Sequence, residues 1–212
     1  MSKQQMIDRR DMLRLGAFLP SALVAGCQLP GSGAPPRTFR LSPKTTFEEL
    51  PRVDWVLVVD RPQIDRSMDT ARIARFDAVE IEYYANATWV DRPPSMIQPL
   101  LIQSFRNSGA IDVVVDRRSD IRPDLLLQTN ISAFYAQLDE SGPTAARVVM
   151  AATLLDMPQR NVVGTTEIGR TVEATANDLP SIVTAFDDAT GKVFKRLVQW
   201  TLEAGETARD AG

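Results

Sequence analysis

Alternating apolar and polar side chains predict three long β-strands in the second half of the chain, at residues 124–138, 145–155 and 162–172. In the middle one, every second residue from Ala146 to Leu154 is apolar, as in a strand with one buried face. The connecting segments, 139–143 and 157–161, are short and contain turn-forming residues. Short links between consecutive strands indicate antiparallel hairpins.

The first half of the chain predicts four shorter strands, at residues 37–41, 53–59, 76–84 and 110–115. The centre of the second is apolar at every position, which is typical of a strand covered on both faces. Segment 76–84 alternates instead, and we expect its apolar side to consist of Val79, Ile81 and Tyr83.

Apolar residues at helical spacing predict a first helix within residues 97–108, after a break at 91–94. Gly109 follows it and suits the left-handed conformation that often ends a helix. Pro99 is compatible with this helix in its first turn and otherwise kinks it.

A second helix is predicted at the C-terminal end of the chain. Asn177 or Asp178 can cap it, and Pro180 falls in its first turn. Its apolar stripe runs from Ile182 to Trp200. Beyond it, the sequence predicts a disordered tail over residues 205–212.

These elements predict one α+β domain over residues 37–204. Its sheet is expected to be mostly antiparallel, with the two helices packed on one face in a two-layer arrangement. The chain of 212 residues suits a single domain, and its 44% hydrophobic content suffices for a core.

Composition narrows the possible chemistry. The net charge is −3, without the basic character that nucleic-acid binding requires. The sequence contains no histidine, the usual general base and the commonest metal ligand. Its single cysteine cannot form an internal disulfide or a zinc site. We therefore expect no nucleic-acid partner, no metal, no cofactor and no catalytic residues.

The first 26 residues have the layout of a secretory signal peptide. A basic head precedes a short apolar run, and Arg9-Arg10 followed by Met12-Leu13 is similar to a twin-arginine export signal. Acidic residues beside the arginines leave Sec export open. The alternative, an amphipathic helix docked on the domain, is disfavoured by Gly16 and Pro20.

Cys27 ends the small-residue run Val24-Ala25-Gly26-Cys27, which resembles the bacterial lipobox. In that motif the cysteine is acylated and becomes the first residue of the mature protein. The alternative is a buried structural cysteine. Burial is disfavoured because the glycine- and proline-rich residues 28–36 cannot pack as a core element. We therefore predict lipidation at Cys27 and a tether over residues 27–36.

Gln28 follows the predicted acylation site and bears on sorting. In enterobacterial-type sorting, aspartate at this position retains a lipoprotein in the inner membrane, so Gln28 favours the outer membrane. Removal of residues 1–26 leaves 20 basic and 25 acidic residues, a net charge of −5. Such a chain has no polybasic patch for lipid headgroups.

Several segments together resemble the ABC-type transport auxiliary lipoproteins. They are residues 81–84 (IEYY) leading to 89–94 (WVDRPP), the run 125–138, the strand end 154–156 (LLD) and the helix end 198–202 (VQWTL). The resemblance covers nearly the whole mature chain and is consistent with the lipobox at Cys27.

The resemblance implies a function. Lipoproteins of this family are encoded with ABC permeases and MCE-domain substrate-binding proteins, in systems that move lipids or other hydrophobic molecules between membranes. The resemblance implies that this protein is a non-enzymatic lipoprotein on the periplasmic face of the outer membrane. There it would dock the MCE protein. The sequence does not decide whether the protein forms homo-oligomers. The alternatives are a stand-alone periplasmic lipid- or small-molecule-binding lipoprotein and a cell-envelope enzyme.

Four aromatic residues are candidates for a partner-contact surface: Trp55, Tyr83, Tyr84 and Trp89. Aromatic side chains are enriched at the centres of protein interfaces. The alternative for each is core packing, and we favour it for Tyr83 because that residue is in phase with Val79 and Ile81.

Overall fold

The computed structural model describes residues 35–77, 79–138 and 143–210. Nine strands and two helices follow one another in the described part of the chain. They are β1 (Arg37–Phe39), β2 (Leu57–Val59), β3 (Gln63–Ile64), β4 (Arg72–Asp77), β5 (Glu80–Trp89), α1 (Pro93–Asn107), β6 (Val114–Asp116), β7 (Leu125–Gln137), β8 (Ala145–Asp156), β9 (Val162–Glu173) and α2 (Leu179–Asp210).

The strands form one mixed, open sheet around β7. One edge of β7 pairs with β8 in antiparallel register, and β9 pairs antiparallel with β8. The other edge of β7 pairs in parallel with β2, β3 and β4 in turn. Next to β2, the strand β6 pairs with it in parallel. Next to β4, the strand β5 pairs antiparallel with β4 on one side and parallel with β1 on the other.

The α+β class is confirmed, and so are the two hairpins of the long strands β7, β8 and β9. The sheet is mixed, and the predicted antiparallel pairing predominates in it because it joins the long strands β7, β8 and β9 as well as β4 and β5. Its short strands from the first half of the chain pair mainly in parallel. Parallel pairing requires a crossover, and α1 provides one between β2 and β6.

The prediction of one strand over residues 76–84 is wrong. This segment contains the end of β4, a turn and the start of β5. Val79 lies in the turn and is 93% exposed, so it does not share a buried face with Tyr83. The turn contains neither glycine nor proline, and its apolar residue continues the alternation of the flanking strands.

Helix α1 begins four residues earlier than predicted, with Pro93 and Pro94 in its first turn, where the missing N–H groups cost no helical hydrogen bond. It ends at Asn107, and Gly109 follows with φ of +65°. This left-handed conformation confirms the helix end that the glycine predicted.

Helix α2 continues to Asp210, so the predicted disordered tail from residue 205 is wrong for residues 205–210. Gly205 is buried inside the helix, against the Trp55 ring and the Leu125 side chain. Glycine lowers helix propensity, and for that reason the sequence suggested an end here. The packing against Trp55 instead requires a residue without a side chain.

Both helices pack on the same face of the sheet, as predicted for two layers. Buried residues of α1 and α2 belong to one apolar cluster with the inward-facing side chains of β2, β7 and β8. At its centre, the rings of Trp89, Phe134 and Phe186 lie with centroids 5.1 to 5.5 Å apart. The opposite face carries a separate small cluster of Val58, Leu126 and Leu155.

Two glycines of α2 predict opposite effects of the same substitution. A Cβ atom at Gly205 would lie 2.7 Å from Trp55 Cζ2, so Gly205→Ala is expected to lower the free energy of unfolding by about 1–3 kcal/mol. A Cβ atom at Gly191 would meet only the Lys44 side chain, at 3.7 Å. Gly191→Ala is therefore expected to raise the free energy of unfolding by about 0.5–1 kcal/mol through helix propensity.

Urea denaturation of the two variants beside the unsubstituted protein tests this pair. Equal and stabilising effects at both positions would show that Gly205 has room for a side chain, contrary to the packing described.

Candidate binding groove

Two adjacent open cavities flank the N-terminal half of α1, and we call them together the α1 groove. The charged cavity, of about 550 Å³, lies between α1 and the ends of β2 and β6. The apolar cavity, of about 540 Å³, lies between α1, the segment after β1 and the end of β5. Asp91, Ser95 and Pro99 line both cavities.

Parallel pairing of β2 and β6 places their charged ends side by side in the charged cavity. Val59 is in register with Asp116, so Asp60 and Arg61 follow β2 next to Arg117 and Arg118 after β6. Crevices at the carboxyl ends of parallel strands are frequent ligand sites in α/β sheets. The register therefore assembles a charged site from segments that are distant in sequence.

Two of the carboxylates in the charged cavity are paired with arginine. Arg117 Nε lies 3.2 Å from Asp60 Oδ2, and Arg118 Nη2 lies 2.6 Å from Asp116 Oδ2. The Arg118 hydrogen bond holds the pKa of Asp116 below its usual value. Both carboxylates are therefore engaged by arginine within the protein.

Arg61 has a different environment. Its Nη2 atom donates a hydrogen bond to Ser95 Oγ at 2.9 Å, and its side chain is exposed. Within residues 35–77, 79–138 and 143–210, it forms no ion pair with a carboxylate. The serine thus orients a guanidinium group whose other donors can bind a ligand anion.

The wall of the apolar cavity is held by backbone hydrogen bonds to both helices. Ser42 N–H donates to Asp187 Oδ1 of α2 at 2.6 Å, and Lys44 N–H donates to Ser104 Oγ of α1 at 2.9 Å. On the other side, Val90 N–H donates to the Phe39 carbonyl oxygen at 2.7 Å. The side chain of Val90 is nevertheless 59% exposed at the rim.

Pro99 removes one helical hydrogen-bond donor at the junction of the two cavities. In an α-helix, each N–H donates to the carbonyl four residues earlier, and proline has no N–H. Pro99 lies inside α1, so the Ser95 carbonyl lacks its usual helical donor. Ser95 itself lines both cavities.

The two tryptophans predicted as partner contacts do not lie on the surface. Trp55 is 1% exposed and packs on Gly205, and Trp89 is 2% exposed within the aromatic cluster. Both tryptophans pack in the core, which was the alternative to partner contact. Among the described residues, the partner-contact prediction therefore fails for Trp55 and Trp89.

The two tyrosines are half-buried. Burial raises the pKa of Tyr84, which packs beside the core and lies near Arg75. The Tyr83 hydroxyl donates to the Ser67 carbonyl oxygen at 2.7 Å, and its ring contacts the Arg72 guanidinium. Tyr83 is therefore a partly exposed residue held by polar contacts, which differs from the core position that we favoured.

Cys27, Arg9 and Arg10 lie outside the described residues, so their roles remain predictions. The groove residues were not found from the sequence, although a signal for them exists. Asp-Arg pairs follow apolar strand ends three times, in VVDRP (58–62), WVDRPP (89–94) and VVDRR (114–118). Both residues of the first and third pairs line the charged cavity, and so does Asp91 of the second, whereas Arg92 lies near Asp69 instead.

The described residues contain no group of three or more acidic or cysteine side chains arranged to hold a metal ion. None of the described helices is both long and apolar enough to span a bilayer. The lining of the groove supplies arginine and serine side chains, with apolar residues beside them.

Solved structures of similar fold support a common architecture. The chain is similar to protein XCC0632 from Xanthomonas campestris, with 25% identity and a TM-score of 0.78, over 82% of this chain and 99% of that one. It is also similar in fold to protein CT253 from Chlamydia trachomatis, with 8% identity and a TM-score of 0.50, over 71% and 98% of the two chains.

Sequence comparison identifies the family. The model for the ABC-type transport auxiliary lipoprotein component matches residues 39–198, and the chain belongs to this family. The chain is also 25% identical, over 187 residues, to protein bll6063 from Bradyrhizobium diazoefficiens. This alignment covers 86% of the chain, which spans about half the length of that relative.

Proposed function

We propose that this protein is a lipid-anchored periplasmic component of an MCE-type ABC transport system that moves lipids or hydrophobic molecules between membranes. It is attached through Cys27 to the periplasmic face of the outer membrane, after export by a signal that contains Arg9 and Arg10. There it docks the MCE-domain substrate-binding protein of the system.

The family match over residues 39–198 carries this proposal, since it identifies an auxiliary lipoprotein of ABC-type transport. The lipobox-like sequence that ends at Cys27 supports an acyl anchor, and Gln28 supports the outer membrane. Two or more acyl chains provide stable anchoring, whereas one chain binds a membrane only marginally.

We propose that the protein acts by binding and not by catalysis. The chain has no histidine, and two of the three carboxylates in the charged cavity are paired with arginine. A perturbed acid beside a nucleophile would support an enzyme. The carboxylate that does shift there, Asp116, is stabilised in its charged form, which makes it a poor general acid or base.

Purification of the full-length lipoprotein in detergent, from cells that also produce the MCE-domain protein of the same bacterium, tests the docking function. We expect the MCE-domain protein to co-purify in a defined ratio. Recovery of the lipoprotein with bound phospholipid and without the MCE-domain protein would contradict docking and favour a stand-alone lipid-binding role.

A further inference from the structure

We propose that the α1 groove is the docking site for the MCE-domain partner, and that it takes an extended segment of that partner with an acidic side chain next to an apolar one. The inference rests on the proposed function and specifies the surface and the chemistry of the contact. Four features of the groove support it.

The first feature is charge. The two cavities are lined by four arginines (Arg40, Arg61, Arg117, Arg118) and three aspartates (Asp60, Asp91, Asp116), so the groove has one excess positive charge. The net charge of the whole chain is −3, so the local charge of the groove has the opposite sign. Arg61, held by Ser95, is placed to bind a partner carboxylate.

The second feature is the apolar cavity next to Arg61. Leu41 and Met96 are buried at its base, whereas Val90 is exposed at its rim. An apolar partner side chain inserted there would cover Val90 and supply the hydrophobic contact that anchors an interface. Because Asp91, Ser95 and Pro99 line both cavities, the acidic and apolar residues of the partner must be close in its sequence.

The third feature is the Ser95 carbonyl, which Pro99 deprives of its helical donor. A partner segment in extended conformation carries backbone N–H groups that can donate to it. An acyl chain has no donor. A peptide segment therefore offers the kind of donor that Pro99 removes, and an acyl chain does not.

The fourth feature is the shape of the groove. Its apolar wall is fixed by hydrogen bonds from Ser42 and Lys44 to the two helices, so little conformational entropy is lost when a partner binds. Arg40, Ser42, Val90, Asp91 and Pro99 are all exposed along the apolar cavity. Such an open, half-polar lining suits a protein segment better than an acyl chain, which needs an enclosed apolar cavity.

Charge reversal at Arg61 and a new charge at Val90 test the groove, with matched controls elsewhere. Arg61→Glu and Val90→Asp are each expected to weaken binding of the purified MCE-domain protein at least tenfold. The controls Arg122→Glu and Val162→Asp alter exposed residues outside the groove and are expected to leave binding unchanged; Val162 is 62% exposed. All four variants should retain thermal stability, within about 0.5 kcal/mol, because the side chains are exposed.

The experiment uses the full-length lipoprotein in detergent and titrates the MCE-domain protein by biolayer interferometry at two salt concentrations. Weakening by the groove variants alone, with a salt-sensitive contribution from Arg61, supports the proposal. Tight binding of the MCE-domain protein with unaltered affinity in both groove variants overturns the docking site and leaves the proposed function standing. Absence of any binding by the unsubstituted protein overturns both. Phospholipid that co-purifies with the unsubstituted protein and is lost in Val90→Asp identifies a lipid site and also overturns the proposal.

Discussion

The Phe186→Ala variant is expected to lose about 3–5 kcal/mol of unfolding free energy. Phe186 is fully buried on α2 and contacts Trp89 of β5 and Phe134 of β7, with ring centroids 5.2 and 5.1 Å away. Its removal leaves a cavity between the helix layer and the sheet. The total free energy of unfolding of a native domain is only about 5–15 kcal/mol, so the loss brings the variant close to unfolding.

Thermal denaturation monitored by circular dichroism measures this effect, with Thr184→Ala as the control on the exposed side of the same helix. The control is expected to change the stability by less than about 0.5 kcal/mol. If both variants melt at the same temperature as the unsubstituted protein, the aromatic cluster does not hold the two layers together.

The Cys27→Ser variant is expected to lose membrane attachment almost completely. In the proposed anchor, the Cys27 sulfur is the atom that acquires the lipid, and serine offers a much poorer nucleophile. Each buried methylene of an acyl chain contributes about 0.8 kcal/mol to membrane binding, so loss of the chains removes nearly all affinity for the bilayer. We expect no incorporation of labelled palmitate and a loss of the protein from the outer-membrane fraction.

Cell fractionation with the tether variant Ser32→Ala as control measures the Cys27 effect. The control retains the cysteine and is expected to incorporate palmitate and to remain in the outer-membrane fraction. A Cys27→Ser protein that sediments with the outer membrane as the control does would show that a different segment provides the attachment.

Local patterns were sufficient to predict the long antiparallel strands and both helices. In β8, alternate residues such as Met150 and Leu154 are buried on the helix-covered face. This two-residue alternation is enough to predict the strand from the sequence. Gly109 marked the end of α1 because its positive φ disfavours other residues. Such features depend on neighbouring residues alone, and composition and spacing are enough to predict them.

The features that the sequence did not predict depend on contacts between distant segments. Trp55 is buried because Gly205, 150 positions later, leaves room for its ring. Parallel pairing of β2, β3 and β4 with β7 depends on crossovers that no local pattern specifies. The groove likewise assembles only when the ends of β2, β5 and β6 meet beside α1, although the repeated Asp-Arg pairs were visible beforehand.

Intact mass spectrometry of the protein extracted from membranes most directly tests whether this chain is a lipid-anchored envelope component. The account predicts a polypeptide that begins at Cys27, with the added mass of a diacylglyceryl group and an N-acyl chain. An uncleaved polypeptide that begins at Met1 and carries a free thiol would contradict it.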